Sequence, residues 1–328
     1  MRYISFLSAS SYTEDMSDTQ ANESPAIEFR NVSLSFDDKP ALVDISFQLA
    51  RGEMIFITGV SGSGKSVLLH LAIGLLQPDS GQIYVEGREI ETLDESDLLA
   101  LRGGMMGMVF QEDSLFSSMT VYENAAYRLE EHGWSEEQID KAVHEVLRFV
   151  GLEGEEEKLP EELSGGMKRR LEIARAMIGW PSIMLFDEPT IGVDPIVAVQ
   201  VLDLIIRARD INKISSLYVT KKVYELPYLA NYHAFVEHKA DPQRGLESGT
   251  THDESVVIRE APSDQLPRTR VMVLDQGRIS FSGSLAEFQG SDLPLIKELL
   301  TFDHHDHSAD PYFPDPWDKR RRPKEETL

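Results

Sequence analysis

The chain has 328 residues, 41% of them hydrophobic and 27% charged, ordinary values for a folded body larger than one small domain. Its 32 Lys and Arg stand against 56 Asp and Glu, a formal charge of -24, which argues against the basic stripe that a nucleic-acid surface needs. There is no cysteine, which excludes disulfides and thiolate metal centres, and no run approaches the roughly 18 apolar residues of a membrane span.

Residues 1–26 are rich in Ser, Thr, Asp and Glu without apolar periodicity and read as a flexible extension. The folded body is expected over 27–301. Ile27-Glu28-Phe29, Val32-Ser33-Leu34-Ser35-Phe36 and Ile45-Ser46-Phe47-Gln48-Leu49 alternate as strands do, which predicts an antiparallel β start before the turn at Arg51-Gly52. The continuous apolar run Met54-Ile55-Phe56-Ile57-Thr58 suits a strand buried on both faces, followed by a glycine-rich loop and a helix over Val67–Leu76. About 89–165 is mostly helix-patterned and acidic and reads as a helical subdomain. Its best helix, Ser135–Val150, opens on the capping box Ser135-Glu136-Glu137-Gln138. Short apolar runs at Ile183–Phe186 and Ser216–Val219 alternate with helices, the rhythm of a parallel sheet. Turn-forming residues over about 237–268 predict an inserted surface loop, Val271–Leu274 resumes as a strand, and 302–328 reads as a flexible tail. That tail carries His304, His305 and His307, which lack a preorganised setting for a metal, and a basic run, Lys319–Lys324.

Gly59-Val60-Ser61-Gly62-Ser63-Gly64-Lys65-Ser66 matches the phosphate-binding loop G-x-x-x-x-G-K-[ST], between a buried strand and a helix as its mechanism requires. Backbone N–H groups of Gly59, Ser61, Gly62, Ser63 and Gly64 can turn inward on a β-phosphate at a helix N-terminus. Lys65 reaches the β- and γ-phosphates, and the Ser66 hydroxyl ligates Mg²⁺. Ile183-Met184-Leu185-Phe186-Asp187-Glu188 is an apolar strand ending in two carboxylates. There Asp187 can hold the Mg²⁺ shell and Glu188 can polarise a water in line with the γ-phosphorus, as phosphoryl transfer needs. ATP and Mg²⁺ are the cofactors these motifs imply.

Leu163-Ser164-Gly165-Gly166-Met167 opens a basic helix. It resembles the LSGGQ signature of ABC ATPases, with Met for Gln. In that family the Ser and glycines, here Ser164, Gly165 and Gly166, bind the γ-phosphate of ATP held by the opposite subunit, so the resemblance implies a head-to-tail homodimer. A helix N-terminus is an anion site on physical grounds as well. By the same resemblance Gln111, after Met108-Val109-Phe110, corresponds to the glutamine that contacts Mg²⁺ or the attacking water. Phe36 falls where the family stacks an aromatic on adenine, although a core phenylalanine is the rival reading. Asp194, in Ile191-Gly192-Val193-Asp194-Pro195, corresponds to the aspartate that contacts the other subunit. One position departs: after Leu217-Tyr218-Val219-Thr220 the family has His, and this chain has Lys221-Lys222. Lysine donates to phosphate but cannot relay a proton as neutral imidazole does, so the role assigned to Lys221 carries a cost in hydrolysis rate.

The resemblance spans about 27–300. Within it, Phe110-Gln111-Glu112-Asp113-Ser114-Leu115-Phe116-Ser117-Ser118-Met119-Thr120-Val121-Tyr122-Glu123-Asn124 and the Met167 variant are most similar to the Mla-type lipid-transport ATPases. The resemblance implies an α/β fold, a P-loop NTPase with a RecA-like core, an antiparallel β subdomain and a helical ABC subdomain. It implies an ATPase on the cytoplasmic, inner face of the membrane, bound to an integral membrane permease and, in that subgroup, working with an MCE-type lipid-binding protein. Its task would be to energise transport of phospholipid or another hydrophobic substrate. The alternatives are an ABC ATPase for different cargo, and a slowly hydrolysing ATP-gated scaffold, for which Lys221 is the sequence support.

Overall fold

The structure, a computed structural model, describes residues 24–112, 114–239 and 253–307. The chain opens with β1 (Ile27–Phe36) and β2 (Lys39–Leu49), then β3 (Met54–Thr58), α1 (Lys65–Ala72), β4 (Ser80–Val85) and β5 (Arg88–Glu89). Next come α2 (Glu95–Met105), β6 (Met106–Val109), α3 (Val121–Glu131), α4 (Glu136–Val150), α5 (Gly165–Met177) and β7 (Ile183–Asp187). The remainder is α6 (Pro195–Asn212), β8 (Ser215–Val219), α7 (Glu225–Asn231), β9 (Tyr232–Lys239), β10 (Asp253–Glu260), β11 (Thr269–Asp275), β12 (Arg278–Gly283), α8 (Leu285–Gln289) and α9 (Pro294–His307).

A six-stranded sheet runs in the order β12-β11-β3-β8-β7-β6. All its neighbours pair in parallel except β12, which pairs antiparallel with β11 at the edge. β3, β7 and β8 are buried at every residue, as expected of parallel strands covered on both faces. The two-residue side-chain period splits them between two apolar clusters. Ile55, Ile57, Leu185, Leu217 and Val219 pack with α1 and the antiparallel sheet, while Met54, Phe56, Met184, Phe186 and Tyr218 pack with the helices of the other face. Each fully buried Leu, Ile or Phe contributes about 1.5–3 kcal/mol, so both faces are needed to hold the strand ends in place.

The antiparallel sheet, ordered β2-β1-β4-β5, corrects one expectation. The segments at 27–29 and 32–36 form one strand, with a register shift between them where Asn31 takes φ 49°. The Asn31 N–H donates to Ser46 Oγ and its amide to Asp44 Oδ1, both at 2.8 Å, which holds the bulge without breaking the strand. Helix α4 starts as predicted, with Ser135 and Gln138 forming the reciprocal capping box.

Three further expectations change. The stretch 89–165 is not wholly helical, because β6 is a buried strand of the main sheet, paired Met106↔Ile183 to Val109↔Phe186. The helical unit proper is α3, α4 and α5, whose apolar faces share one cluster. The region 237–268 is not simply a loop: β9 and β10 form a hairpin from Tyr232↔Glu260 to Lys239↔Asp253. The aromatic and β-branched residues of Tyr232–Val236 and Val256–Ile258 are a strand signal, outweighed in the sequence by the turn-formers between. Finally, α9 continues through His307, so 302–307 is helical and His304, His305 and His307 lie in its last turns. The predicted extension over 1–23, residues 240–252 of the predicted insertion and residues 308–328 of the predicted tail lie outside the described residues. No described helix is long and apolar enough to cross a membrane.

Candidate nucleotide site

β3 ends at Thr58 and delivers Gly59 at the carboxyl edge of the main sheet. Gly59 has φ 140°, and a Cβ there would lie 2.1 Å from the Leu274 carbonyl oxygen on β11. Gly64, at φ 99°, caps α1, and its Cβ would lie 2.6 Å from the Ala41 carbonyl oxygen. Only glycine combines these dihedrals with so close a backbone approach. Ser63 is buried, while Ser61 and Gly62 face solvent and Ser66 is half-buried. Lys65 is 5% exposed. Its Nζ donates to the carbonyl oxygens of Gly59 and Val60, each at 2.8 Å, and to Ser63 Oγ at 3.3 Å. Burial pushes the Lys65 ammonium down to about 8, the Lys221 charge adds to the fall, and Glu188 and Asp187 oppose it.

The acidic side of the site is built by β7 and β8. The Glu188 N–H donates to the Val219 carbonyl at 2.9 Å, and the Thr220 N–H to the Ile57 carbonyl at 3.1 Å. The ladder thus extends one residue past β7 and β8 and brings Glu188 and Lys221 together. Lys221 Nζ lies 2.7 Å from Glu188 Oε1, and the lysine is 42% exposed where the glutamate is 7%. Glu188 also has φ 47°, an uncommon conformation for a residue with a Cβ.

Asp187 is 3% exposed, and its Oδ1 has no hydrogen-bond partner. Burial raises its pKa, the Glu188 charge adds to the rise, and a hydrogen bond from the Ser66 side chain opposes it. A buried carboxylate oxygen with no donor, beside a hydroxyl, is a donor set that suits a hard divalent cation.

The other predicted residues are at the surface. Ser164 caps α5, accepting the Met167 N–H at 3.3 Å. Gly165 has open space around its Cα, whereas a Cβ on Gly166 would lie 2.7 Å from Val197 of α6. Asp194 caps α6, accepting the Val197 N–H at 3.1 Å, between the exposed side chains of Ile191 and Ile196. Gln111 is exposed in the turn that follows β6. Phe36 is 47% exposed at the β1–β2 turn, which removes the core-phenylalanine reading and leaves an available aromatic face.

Residues 42–191 match the family described as ABC transporter. The chain is 35% identical over 284 residues to the protein TRIGALACTOSYLDIACYLGLYCEROL 3, chloroplastic, of Arabidopsis thaliana, covering 84% of this chain and 73% of that one. It is 34% identical over 290 residues to the methionine import ATP-binding protein MetN of Carboxydothermus hydrogenoformans, covering 83% of each. The chain belongs to the ABC transporter ATPases. The fold agrees. CbiO1 of Clostridium perfringens, part of an ABC transporter complex, superposes with a TM-score of 0.64 over 87% of this chain and 97% of that one, at 24% identity.

This ABC ATPase carries two polar clusters that sequence reasoning passed over. Behind the ends of β7 and β8, the fully buried Glu225 accepts from Tyr218 Oη at 2.7 Å, from Thr220 Oγ1 at 3.1 Å and from Thr190 Oγ1. Lys222 Nζ donates to the Thr190 carbonyl at 2.7 Å. Burial raises the pKa of Glu225, with the Lys222 charge and its hydroxyl donors opposing the rise. The cluster ties the turn after Glu188 to the turn that carries Lys221. The second cluster centres on Arg169 of α5, which is buried against the backbone of Glu188. The signal for both was an acid lying three to five residues from a partner in an apolar context, a pattern shared with many exposed helix pairs.

Proposed function

We propose that this ABC ATPase binds Mg-ATP at two composite sites of a head-to-tail homodimer and energises transport through a separate membrane permease. The observation that carries the proposal is the clustering of Lys65, Asp187, Glu188 and Lys221 at the carboxyl ends of β3, β7 and β8, where their charges act on one another. Gly59, Ser61, Gly62, Ser63 and Gly64 would enclose the β-phosphate, Lys65 would hold the β/γ-phosphates, and Phe36 would stack on the base. Ser66, Asp187 and, from its exposed turn, Gln111 would hold Mg²⁺, which supplies charge neutralisation on those phosphates. Glu188 would orient and deprotonate the attacking water, with Lys221 donating toward the γ-phosphate. Ser164, Gly165 and Gly166 would present a helix N-terminus to the nucleotide of the other subunit, with Asp194 at the same interface.

A subunit-mixing experiment tests the composite site. Lys65→Ala disables the phosphate loop and Gly165→Glu the signature, so each alone should be inactive. Heterodimers of the two keep one site with a native phosphate loop and a native signature, so mixing should restore part of the ATPase activity. No recovery on mixing, with heterodimers present, would contradict the arrangement.

For cargo we favour phospholipid or another hydrophobic substrate, moved by a complex on the inner, cytoplasmic face of the membrane with an MCE-type lipid-binding partner. The similarity at Phe110–Asn124 and Met167 supports this reading. So does a relative named for trigalactosyldiacylglycerol, a glycolipid. The second reading, methionine or another small solute, rests on the methionine import relatives. ATP-dependent transfer of a fluorescent phospholipid by the permease complex supports the first, and methionine-stimulated ATPase with no lipid transfer supports the second.

A further inference from the structure

We propose that Arg169 is a positioning residue for the hydrolytic centre, fastening the signature helix to both Glu188 and the loop that carries Gln111. It rests on the reading of Glu188 as the group that activates water. Arg169 lies on α5, five residues after Ser164, and is 6% exposed. Its Nε donates to the Pro189 carbonyl at 2.5 Å, its Nη2 to the Glu188 carbonyl at 3.1 Å and its Nη1 to the Phe110 carbonyl at 3.0 Å. Nη1 also pairs with Glu172 Oε2, one turn along the same helix. The other oxygen of that carboxylate, Oε1, accepts the Ser114 N–H at 3.2 Å. The Arg169–Glu172 pair therefore grips the Gln111 loop on both flanks, at Phe110 and Ser114.

The consequence lies in the backbone of Glu188. Its positive φ of 47° is held from one side by its N–H bond to Val219 and from the other by Arg169 Nη2 and the Ile191 N–H, both donating to its carbonyl at 3.1 Å. A residue in so sparsely populated a conformation persists only where its surroundings over-determine it. The guanidinium presents five N–H donors in a rigid fork, which is what three separate carbonyls and a carboxylate require; an ammonium is a point charge on a flexible stem and cannot span them. The α5 helix begins at the exposed Ser164 and Gly165, and Arg169 gives that helix a direct side-chain hold on the Glu188 backbone. Arg169 does not touch the reacting atoms, and its effect should fall on turnover rather than on nucleotide affinity.

The test is steady-state ATPase kinetics on the full chain, with affinity for a fluorescent ATP analogue measured beside it. Arg169→Lys keeps the charge and the pairing with Glu172 but loses the fork. We expect kcat to fall by about tenfold or more, with KM and analogue affinity within about twofold of the parent. Glu172→Gln keeps an acceptor for Ser114 and leaves the carbonyl contacts of Arg169 in place, so its kcat should fall less, by about threefold. Wild-type kcat in Arg169→Lys would overturn the proposal. So would losses in which KM and analogue affinity move in parallel with kcat, the mark of a general structural role. If Arg169→Lys does not fold, Arg169→Gln carries the same expectation, and failure of both to fold also rejects a positioning role. Glu188→Gln, assayed alongside, separates the two readings: normal turnover there removes the catalytic assignment itself, whereas an inactive Glu188→Gln with a normal Arg169→Lys removes only the role of Arg169.

Discussion

Lys221 Nζ sits 2.7 Å from Oε1 of Glu188, so the residue that stands where the family has histidine is paired with the carboxylate proposed here to activate water. On that proposal the pair occupies an oxygen that water needs, and lysine offers no acceptor of its own for a proton. Because Lys221 is 42% exposed, the pair is screened and modest in energy, and it can open when phosphate competes for the ammonium. Lys221→His should therefore raise ATP turnover by about tenfold, or roughly 1.4 kcal/mol of barrier, with little change in ATP affinity. Steady-state assays in the presence of the permease decide it. Unchanged or lower turnover would mean that the site relies on the lysine charge.

The pH dependence follows from Lys65. With its ammonium pushed down to about 8 by burial and by Lys221, the free enzyme loses that charge as pH rises through about 8. The group is protonated, and competent to bind phosphate, below that value and neutral above it. Because kcat/KM reports the free enzyme, it should be flat from about pH 6 to 7, fall to about half near pH 8 and decline further above it. Lys221→Met removes a neighbouring cation and should carry this limb to higher pH. An alkaline limb that stays in place in Lys221→Met would sever the link between the two lysines.

Gly59→Ala places a methyl 2.1 Å from the Leu274 carbonyl oxygen at φ 140°. The obstacle is backbone on a buried strand, so relief requires β3 and β11 to shift apart. The variant should lose about 2 kcal/mol or more of stability and bind ATP weakly, read by thermal melting and nucleotide titration. Gly62→Ala meets nothing within 4 Å, although its φ of 78° disfavours a side chain. It should be milder. Equal melting temperatures for Gly59→Ala and the parent would count against this placement of the loop.

The clustering of Lys65, Asp187 and Glu188 was legible because the residues that build it are written in contiguous segments. A buried apolar strand, a glycine-rich loop and a lysine over Met54–Ser66, and an apolar strand closed by two carboxylates over Ile183–Glu188, each carry their own structural context. Ser135 and Gln138 were legible as a cap for the same reason. What stayed hidden depends on pairings between distant segments. Asn31 joins two apparent strands through Ser46 and Asp44. Met106–Val109 becomes a sheet strand only beside Ile183–Phe186. The β9–β10 hairpin was obscured by the turn-forming residues between its strands, and Arg169 looked like one more charge on a basic helix until Pro189, Glu188 and Phe110 were brought to it.

Whether Glu188 drives hydrolysis between two copies of this chain is decided by following Glu188→Gln with Mg-ATP by size-exclusion chromatography and light scattering while measuring ATP turnover. The glutamine keeps the shape of the site and the nucleotide contacts but cannot take a proton from water. Turnover should drop to background, and the protein should shift from monomer to an ATP-bound dimer that persists until nucleotide is removed. Normal turnover in Glu188→Gln, or loss of turnover with no ATP-dependent dimer, would contradict that role of Glu188.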